Sequence, residues 1–289
     1  MNNSVPTVLI LGHSGFIGSN LEASLKIRGL NVIGKSLPEV NLGDSLDILK
    51  IKKFFTPQTT IILAAAVKRQ FGDTQEAYRM NMAIVENICT LLVERPVKRL
   101  IFFSSAAVYG EETHNTNISE ETQVNPTSYY GIAKYTSERL LERALKVNTN
   151  TTLVCLRPPL AYGPGDRGKT YGPAGFATAA TEGSPITLWG DGKELREFLF
   201  IEDLCKIVEY LIYSEFSGVL NAVSGNSICF ADVIDLLRIK FPGLSVASRD
   251  RTKQKADNAF DGSKLRLLLG PDFKFTSLVD GLQATLAEN

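Results

Sequence analysis

The chain has 289 residues, of which 44% are hydrophobic, so it is long enough for one large domain or two modest ones with a sizeable core. Its 31 Lys and Arg balance its 31 Asp and Glu, and a net charge of +0 argues against nucleic-acid and membrane-surface partners. The 2 histidines, the 4 cysteines without C-x-x-C spacing and the short apolar runs argue against a metal site, a disulfide framework and a membrane span. These features predict a soluble, cytoplasmic protein.

The first predicted element is a strand at residues 8–11, an apolar run typical of a strand buried on both faces. Glycines follow at G-x-x-G-x-x-G spacing, and apolar residues then recur at helical intervals. Strand, glycine turn and helix form the context of a dinucleotide-binding turn, in which a pyrophosphate rests on the helix N-terminus. An ordinary glycine-containing β–α turn is the alternative. The predicted cofactor contacts here are Gly12, Ser14, Gly15, Phe16, Ile17 and Gly18.

The second predicted strand, residues 31–34, ends beside Lys35 and Ser36. No acidic residue stands there to bind the 2′-hydroxyl of an adenosine ribose, whereas basic and hydroxyl side chains suit a 2′-phosphate. The pattern therefore favours NADP slightly over NAD. A solvated lysine in a loop is the alternative for Lys35.

The third predicted strand, residues 60–66, ends in three small side chains, Ala64, Ala65 and Ala66. Alanines let a flat cofactor lie against the backbone, but they also simply pack tightly. Lys68 follows at the C-terminal end of this strand, where ligands of open α/β sheets bind. A helix predicted over residues 74–92 carries Asn81.

The fourth predicted strand, residues 99–103, leads to Ser105, whose hydroxyl either bonds a substrate oxygen or caps the strand. Tyr130 and Lys134 stand four residues apart on a later predicted helix, and this spacing places both on one face. An ammonium beside a phenol favours the phenolate, which makes the tyrosine a usable base.

These motifs together resemble the extended short-chain dehydrogenases/reductases, specifically the nucleotide-sugar epimerase/dehydratase family, over nearly the full length. The resemblance implies that the glycines hold the pyrophosphate and that Ser105 bonds a substrate hydroxyl. It also implies that Tyr130 is the base, and that Lys134 activates it and binds the nicotinamide ribose.

Further resemblances extend the predicted site. Asn41 and Leu42 resemble the stretch that flanks the adenine, and Asn81 resembles the family's helix asparagine near the active site. Pro158 lies in a strand and Y-G-P-G loop resembling the one beside the nicotinamide.

The second half of the chain resembles the family's G-D-G and R-D-F-x-x-V-x-D signature, with Glu197 in place of the usual Asp. The resemblance implies that Arg196 binds the diphosphate of a sugar nucleotide, since a guanidinium suits phosphate geometry. Arg251 precedes residues 261–264 at the spacing of the family's second diphosphate arginine. A surface ion pair is the alternative for each arginine.

Departures from the family pattern reduce the number of reactions that the site could carry out. Ala106 and Ala107 occupy the positions of the acid and base of the dehydratases, which disfavours elimination of water. The stretch 35–41 resembles NADPH-using epimerase-reductases, but their cysteine is Ala107 here and their histidine has no counterpart. We predict a NAD(P)-dependent nucleotide-sugar 4-epimerase that works through a 4-keto intermediate. A NADPH-dependent 4-keto-6-deoxysugar reductase is the alternative, and a non-catalytic cofactor sensor is a third possibility.

The predicted fold is α/β, a doubly wound parallel (Rossmann) sheet formed by residues 1–160. Residues 161–289 are predicted to form mainly a substrate-binding lobe, with residues 196–225 returning to the sheet. A nucleotide-diphosphate sugar is the expected partner, and a homodimer the expected assembly.

Overall fold

The computed structural model describes residues 5–68, 72–146, 150–166, 172–251 and 254–288. The chain forms two compact units, and neither is a continuous segment. The first unit combines Met1–Val108, Val124–Arg157 and Cys205–Leu220, and the second combines Tyr109–Gln123, Pro158–Leu204 and Asn221–Asn289.

The described residues form the following strands and helices. The strands are β1 (Thr7–Leu11), β2 (Asn31–Lys35), β3 (Thr59–Leu63), β4 (Arg99–Phe103), β5 (Asn115–Ile118), β6 (Thr152–Arg157), β7 (Leu160–Tyr162), β8 (Ile186–Trp189), β9 (Leu195–Arg196), β10 (Phe198–Phe200), β11 (Gly218–Asn221), β12 (Ile228–Cys229), β13 (Val246–Arg249) and β14 (Asn258–Phe260). The helices are α1 (Phe16–Ile27), α2 (Gln75–Glu94), α3 (Tyr129–Leu145), α4 (Gly172–Thr181), α5 (Ile201–Tyr213), α6 (Phe230–Lys240), α7 (Ser263–Leu269) and α8 (Leu278–Glu288). Among the described residues, none of these helices has the length and apolar character needed to cross a membrane.

A six-stranded sheet in the order β2-β1-β3-β4-β6-β11 forms the centre of the fold, and the pairings from β2 through β6 are parallel. The chain moves from β1 to β2 on one side and to β3 on the other, so the direction of winding reverses between β1 and β3. Ligands of such sheets bind outside the C-terminal ends of the strands at this switch point. The predicted doubly wound parallel sheet is confirmed.

Apolar runs explain why these segments are the central strands. All five residues of β3 and of β4 are buried, and so are four of the five in β1, as expected for strands covered on both faces. α2 packs onto the same core through Val85, Ile88 and Leu92, which recur at helical spacing. The central strands and α2 therefore share one buried core.

The third strand is shorter than predicted. It ends at Leu63 instead of continuing through residue 66, because the backbone N–H groups of Ala64 and Ala65 both turn to the Leu11 carbonyl oxygen at 2.9 Å. The alanines thus form the start of a loop that lies against the end of β1.

The region 196–225 contains one strand that joins the central sheet and one that does not. β10 pairs in parallel with β7 in a separate two-stranded sheet, where the Phe200 and Tyr162 rings pack 5.6 Å apart. The strand from this region that does join the six-stranded sheet is β11. Three further two-stranded sheets pair β5 with β14, β8 with β13 and β9 with β12.

Candidate active site

The turn between β1 and α1 brings three parts of the chain together at the switch point. Gly12 has a φ of +92°, a conformation that favours glycine, and a Cβ built on it would lie 2.6 Å from the Ala65 nitrogen. A Cβ on Gly18 would lie 2.2 Å from the Gly12 carbonyl oxygen. Only glycine fits at these two positions, and its small size lets the loop after β3 and the first turns of α1 pack directly against the end of β1.

Gly15 has a different role in the same turn. It is the N-cap of α1, its φ is an ordinary −79°, and a built Cβ would make only van der Waals contact, 3.5 Å from the Gly12 carbonyl oxygen. Because Gly15 has no side chain, the space in front of the α1 N-terminus stays open to solvent. Ser14 is exposed there too, and Phe16 and Ile17 are half-buried. A bare helix N-terminus of this kind fits the pyrophosphate of a dinucleotide.

Side chains join the end of β2 to the glycine turn. Ser36 Oγ donates a hydrogen bond of 2.9 Å to Ser14 Oγ, so two predicted cofactor residues from distant segments lie together. Lys35 Nζ lies 2.9 Å from Glu39 Oε2, and this hydrogen bond and the lysine charge lower the pKa of the Glu39 carboxyl. Glu39 was missed by the sequence analysis, and it offsets the positive charge of Lys35.

His13 supports the same region and was also missed. Its ring lies so close to Gly34 that a Cβ there would be 2.4 Å from His13 Cγ. Its Nδ1 lies 2.8 Å from Glu22 Oε2. The imidazole thereby packs between the end of β2 and the glycine turn. His13 and Gly34 are 21 residues apart, so the sequence does not indicate this contact.

The loop after β3 is held by α2. Asn81 Oδ1 accepts a hydrogen bond from the Val67 nitrogen at 2.8 Å, and Asn81 Nδ2 donates to the Val67 carbonyl oxygen at 3.1 Å. Lys68 Nζ lies 5.8 Å from the centroid of the Phe16 ring, which places this loop against the glycine turn. The half-buried alanines at 64–66 lie in the same loop and leave room for a flat ring. The substrate roles expected for Asn81 and Lys68 stay predictions.

The remaining predicted cofactor residues lie in ordered local structure. Asn41 Oδ1 accepts from the Gly43 nitrogen at 3.0 Å, which closes a tight turn. Leu42 is buried, and its carbonyl oxygen accepts from Asn87 Nδ2 of α2 at 3.0 Å. Pro158 is buried directly after β6. Their contacts with a cofactor stay predictions.

Local capping fixes where α3 begins. β4 ends at Phe103, and Ser105 Oγ accepts from the Ala107 nitrogen at 3.1 Å, capping the short 3₁₀ turn Ala106–Tyr109. Ser128 is the N-cap of α3, and its Oγ accepts from the Gly131 nitrogen at 3.0 Å. The cap places Tyr130 in the first turn of α3 and Lys134 one turn further along the same face.

Lys134 links the two predicted catalytic segments. Its Nζ lies 5.6 Å from the centroid of the Tyr130 ring and donates a hydrogen bond of 2.6 Å to the Phe103 carbonyl oxygen, two residues before Ser105. Burial lowers the pKa of Lys134 to about 7, and the negative charge of Glu138 opposes that shift. An ammonium held beside a phenol lowers the energy of the phenolate, so this arrangement can move a proton.

The two predicted diphosphate arginines lie in the second unit and have protein partners. Arg196 donates through one guanidinium nitrogen to the carbonyl oxygens of Leu195 at 2.7 Å and Ala256 at 2.6 Å. Arg251 forms ion pairs with Glu194 and, at 3.0 Å, with Asp191. Diphosphate binding by either arginine stays a prediction, and Arg251 must exchange a carboxylate for a phosphate to take part in it.

Glu197, which replaces the aspartate of the family signature, is 2% exposed. Its carboxylate accepts hydrogen bonds from both the backbone nitrogen and the hydroxyl of Ser224, from the Gly225 nitrogen and from the Ser227 hydroxyl, at 2.6 to 3.1 Å. These donors satisfy the buried charge. Glu197 therefore fixes the loop before β12, and β12 pairs with β9, the strand that carries Arg196.

Comparison with known proteins agrees with this geometry. Residues 8–221 match the NAD dependent epimerase/dehydratase family. The chain is 26% identical over 219 residues to an N-acetyl-alpha-D-glucosaminyl-diphospho-ditrans,octacis-undecaprenol 4-epimerase of Escherichia coli O157:H7, a match spanning 73% of this chain and 64% of that protein. It is 27% identical to GDP-L-fucose synthase 1 of Arabidopsis thaliana, covering 99% of this chain and 93% of that one.

A solved structure shows the same fold. The UDP-glucose 4-epimerase of Thermotoga maritima, solved with UDP-glucose, covers 98% of each chain with a TM-score of 0.85 at 22% identity. The family match extends over most of the chain and contains the glycine turn, Ser105, Tyr130 and Lys134. The chain is therefore an enzyme that belongs to the NAD dependent epimerase/dehydratase family.

Proposed function

We propose that this enzyme is a NAD(P)-dependent nucleotide-sugar 4-epimerase that acts at C4 of the hexose through a 4-keto intermediate. The observation that carries the proposal is the position of Lys134, whose Nζ is 5.6 Å from the Tyr130 ring and 2.6 Å from the carbonyl oxygen of Phe103. One buried cation thus adjoins both the proposed base and the strand end that precedes Ser105.

In the proposed reaction, Tyr130 takes the proton of the sugar 4-hydroxyl and later returns it to the 4-keto oxygen. The Lys134 ammonium stabilises the phenolate, and the Ser105 hydroxyl orients the sugar oxygen. The bound dinucleotide supplies a hydride acceptor and donor. Epimerisation requires that the sugar turns over between the two proton transfers. Arg196 and Arg251 are the proposed partners of the substrate diphosphate.

A second reaction, reduction of a 4-keto sugar nucleotide with NADPH, uses the same tyrosine and lysine. It is favoured by Lys35 and Ser36 at the end of β2, and by the near full-length similarity to a GDP-L-fucose synthase. The relative and the solved structure that are named as 4-epimerases favour the first reaction. The segment 104–109, which contains Ser105, also resembles the 4-epimerases, so epimerisation is our proposal.

Substitution of Tyr130 tests the proposed base. We expect Tyr130→Phe to lower the turnover of UDP-glucose epimerisation by ~10²-fold or more, because it removes the group that moves the proton. The affinity for the dinucleotide, measured by titration with the reduced cofactor, stays unchanged because the ring and its packing remain.

The neighbouring Tyr129 supplies a matched control. It is 42% exposed at the first position of α3, and Tyr129→Phe removes the same hydroxyl one residue away. We expect wild-type turnover from this variant. Full activity of Tyr130→Phe would remove the proposed base from the mechanism.

The proposed cofactor preference is NADP over NAD. It is supported by the hydroxyl groups of Ser14 and Ser36, 2.9 Å apart, and by Lys35 at the end of β2. These groups suit a 2′-phosphate, which a lysine attracts as a point charge. Glu39 weakens this attraction, because its carboxylate lies 2.9 Å from Lys35 Nζ.

Two opposite substitutions test the preference. We expect Lys35→Ala to weaken NADP binding by ~5-fold or more, about 1 kcal/mol for a charge-assisted contact, and to leave NAD binding unchanged. Glu39→Gln frees Lys35 and strengthens NADP binding. Isothermal titration gives the affinities of the wild type and both variants for NAD and NADP. Tighter binding of NAD than of NADP by the wild type would show that Lys35 does not bind a 2′-phosphate.

Homodimer formation and a cytoplasmic location complete the proposal. Met80 of α2 and Tyr129 and Ile132 of α3 are exposed apolar side chains on two helices that pack together, which supports an interface. The four cysteines, of which Cys155 and Cys205 are buried, support a reducing compartment. Sedimentation of the purified protein tests the dimer, and a monomer at micromolar concentration contradicts it.

A further inference from the structure

A buried ion pair lies behind the proposed catalytic face of α3. Arg157, at the end of β6, donates to both carboxylate oxygens of Glu138, from Nε at 2.8 Å and from a terminal nitrogen at 2.6 Å. Each residue is only 4% exposed. Burying two charges is expensive, and such a pair is on average no more stabilising than apolar side chains of the same volume. Its presence here therefore calls for a role other than stability.

Glu138 also contacts the strand that leads to Ser105. Its Oε1 accepts a hydrogen bond of 2.5 Å from Ser104 Oγ, and Ser104 is 2% exposed. Lys134 bonds the carbonyl oxygen of Phe103. Two residues one turn apart on α3 thus hold two consecutive residues of the β4 end, immediately before Ser105.

The spacing along α3 connects this contact with the proposed base. Tyr130, Lys134 and Glu138 follow one another at intervals of four residues and lie on one face of the helix. Any rotation or slide of α3 that moves the Tyr130 hydroxyl also moves Glu138. The two-point guanidinium fork of Arg157 resists such movement, because it has a fixed planar geometry.

We propose that the Glu138–Arg157 pair is a positioning element, which locks α3 to the ends of β4 and β6 so that Tyr130 and Ser105 keep the geometry needed for proton transfer. This inference rests on the proposed roles of Tyr130, Lys134 and Ser105. Neither Glu138 nor Arg157 is proposed to contact the substrate.

The charges around Lys134 agree with this role. On α3, Lys134 adjoins Glu138 and the ring of Tyr130, and β4 presents the Phe103 carbonyl oxygen and the Phe102 ring, 5.0 Å away. From β6, Arg157 binds the Glu138 carboxylate, and burial together with the negative charge of Glu138 raises the pKa of the Cys155 thiol. Glu138 raises the pKa of Lys134 against the effect of burial. The carboxylate thus offsets one cation on each side of it.

The experiment separates positioning from stability. Glu138→Gln leaves Arg157 as an uncompensated buried charge, so it is expected to lower the melting temperature and the turnover together. The double variant Glu138→Gln/Arg157→Met removes both charges, keeps an amide oxygen for Ser104 and keeps the core volume. Its melting temperature is expected to return to within a few degrees of the wild type.

The activity of the double variant decides the question. We expect kcat for UDP-glucose epimerisation to stay ~10-fold or more below wild type, since small displacements of catalytic groups lower rates by up to 10²-fold. KM and the affinity for the dinucleotide are expected to stay unchanged. Arg157→Lys keeps the charge but loses the fork, and it is expected to restore only part of kcat.

If the double variant recovers both the kcat and the melting temperature of the wild type, the inference is overturned. The Glu138–Arg157 pair then contributes to stability alone. Tyr130→Phe in the same assay distinguishes failure of the positioning role from failure of the proposed base. If it is inactive while the double variant is fully active, only the positioning role is lost. If it is active, the proposed base fails and the positioning role fails with it.

Discussion

At the scale of single residues, Lys134 couples the site to the stability of the fold. Burial lowers the pKa of Lys134 from 10.5 to about 7. The unfolded chain keeps this proton up to the higher value, whereas the folded chain releases it near the lower one. The unfolded state therefore binds more protons between these two pH values, and the contribution of Lys134 makes the fold more stable as the pH rises through this window.

Comparison with a lysine-free variant tests this linkage. We expect the stability difference between Lys134→Met and wild type to favour the variant near pH 7 and to shrink as the pH approaches the ordinary lysine value. Urea unfolding across that pH range measures it. Lys98 is exposed, so Lys98→Met is the matched control, and its difference from wild type stays constant. A constant difference for Lys134→Met as well would show that the lysine keeps its proton when buried.

The same scale shows what the sequence reveals about the site and what it does not. Tyr130 and Lys134 were predicted because a helix places residues four apart on one face, a local rule. The partners of the site are set by the tertiary fold. Glu197 receives its hydrogen bonds from residues 224–227, and Glu138 pairs with Arg157 on a different element. No local pattern indicates which distant donor meets a given carboxylate.

At the scale of elements, the β1–α1 turn needs glycine for two reasons. Gly12 is required for conformation and packing, and Gly15 keeps the helix N-terminus open. Gly12→Ala combines a positive φ with a clash against the Ala65 backbone. Gly29 has a φ of +81°, and a Cβ built on it meets no atom of the described residues within 4 Å. We expect Gly29→Ala to lower the free energy of unfolding by about 1 kcal/mol, the cost of the left-handed conformation, and Gly12→Ala to lower it by more. Denaturant unfolding measures both.

Gly15→Ala tests whether the glycine turn binds the cofactor. Its φ is ordinary and its nearest contact is 3.5 Å, so we expect stability close to wild type. Cofactor affinity is expected to fall, because the added methyl group occupies the space in front of the helix N-terminus. If Gly15→Ala binds the cofactor as the wild type does, the pyrophosphate lies elsewhere.

Elements were predicted well where a long apolar run or a side-chain cap marks them. β4 covers the predicted residues 99–103, and α2 begins directly after Thr74, whose side chain accepts from the Ala77 nitrogen at 3.2 Å. The end of β3 was predicted three residues too late, because alanines fit a strand as well as a loop. The turn of Ala64 and Ala65 toward Leu11 is a long-range contact without a local signal.

At the scale of the whole molecule, apolar strands and helices alternating along the chain were enough to predict a parallel doubly wound sheet. The path of the second half was not predictable in the same way. β10 has three residues, and such a short apolar strand fits either the central sheet or a separate pair. Its partner β7 is equally short, so tertiary packing decides the pairing. The predicted domain limits at 160 and 196–225 stay predictions beside the observed units.

The interconversion of nucleotide sugars without added reductant distinguishes a 4-epimerase from a reductase. The purified enzyme is incubated with UDP-glucose, UDP-galactose or their N-acetyl forms, with a catalytic amount of dinucleotide and no added reductant. A 4-epimerase interconverts one of these pairs without net consumption of the dinucleotide, and this is the result that we predict. Product formed only from a 4-keto sugar nucleotide, with one NADPH consumed for each product molecule, would contradict the proposal and assign the enzyme as a reductase.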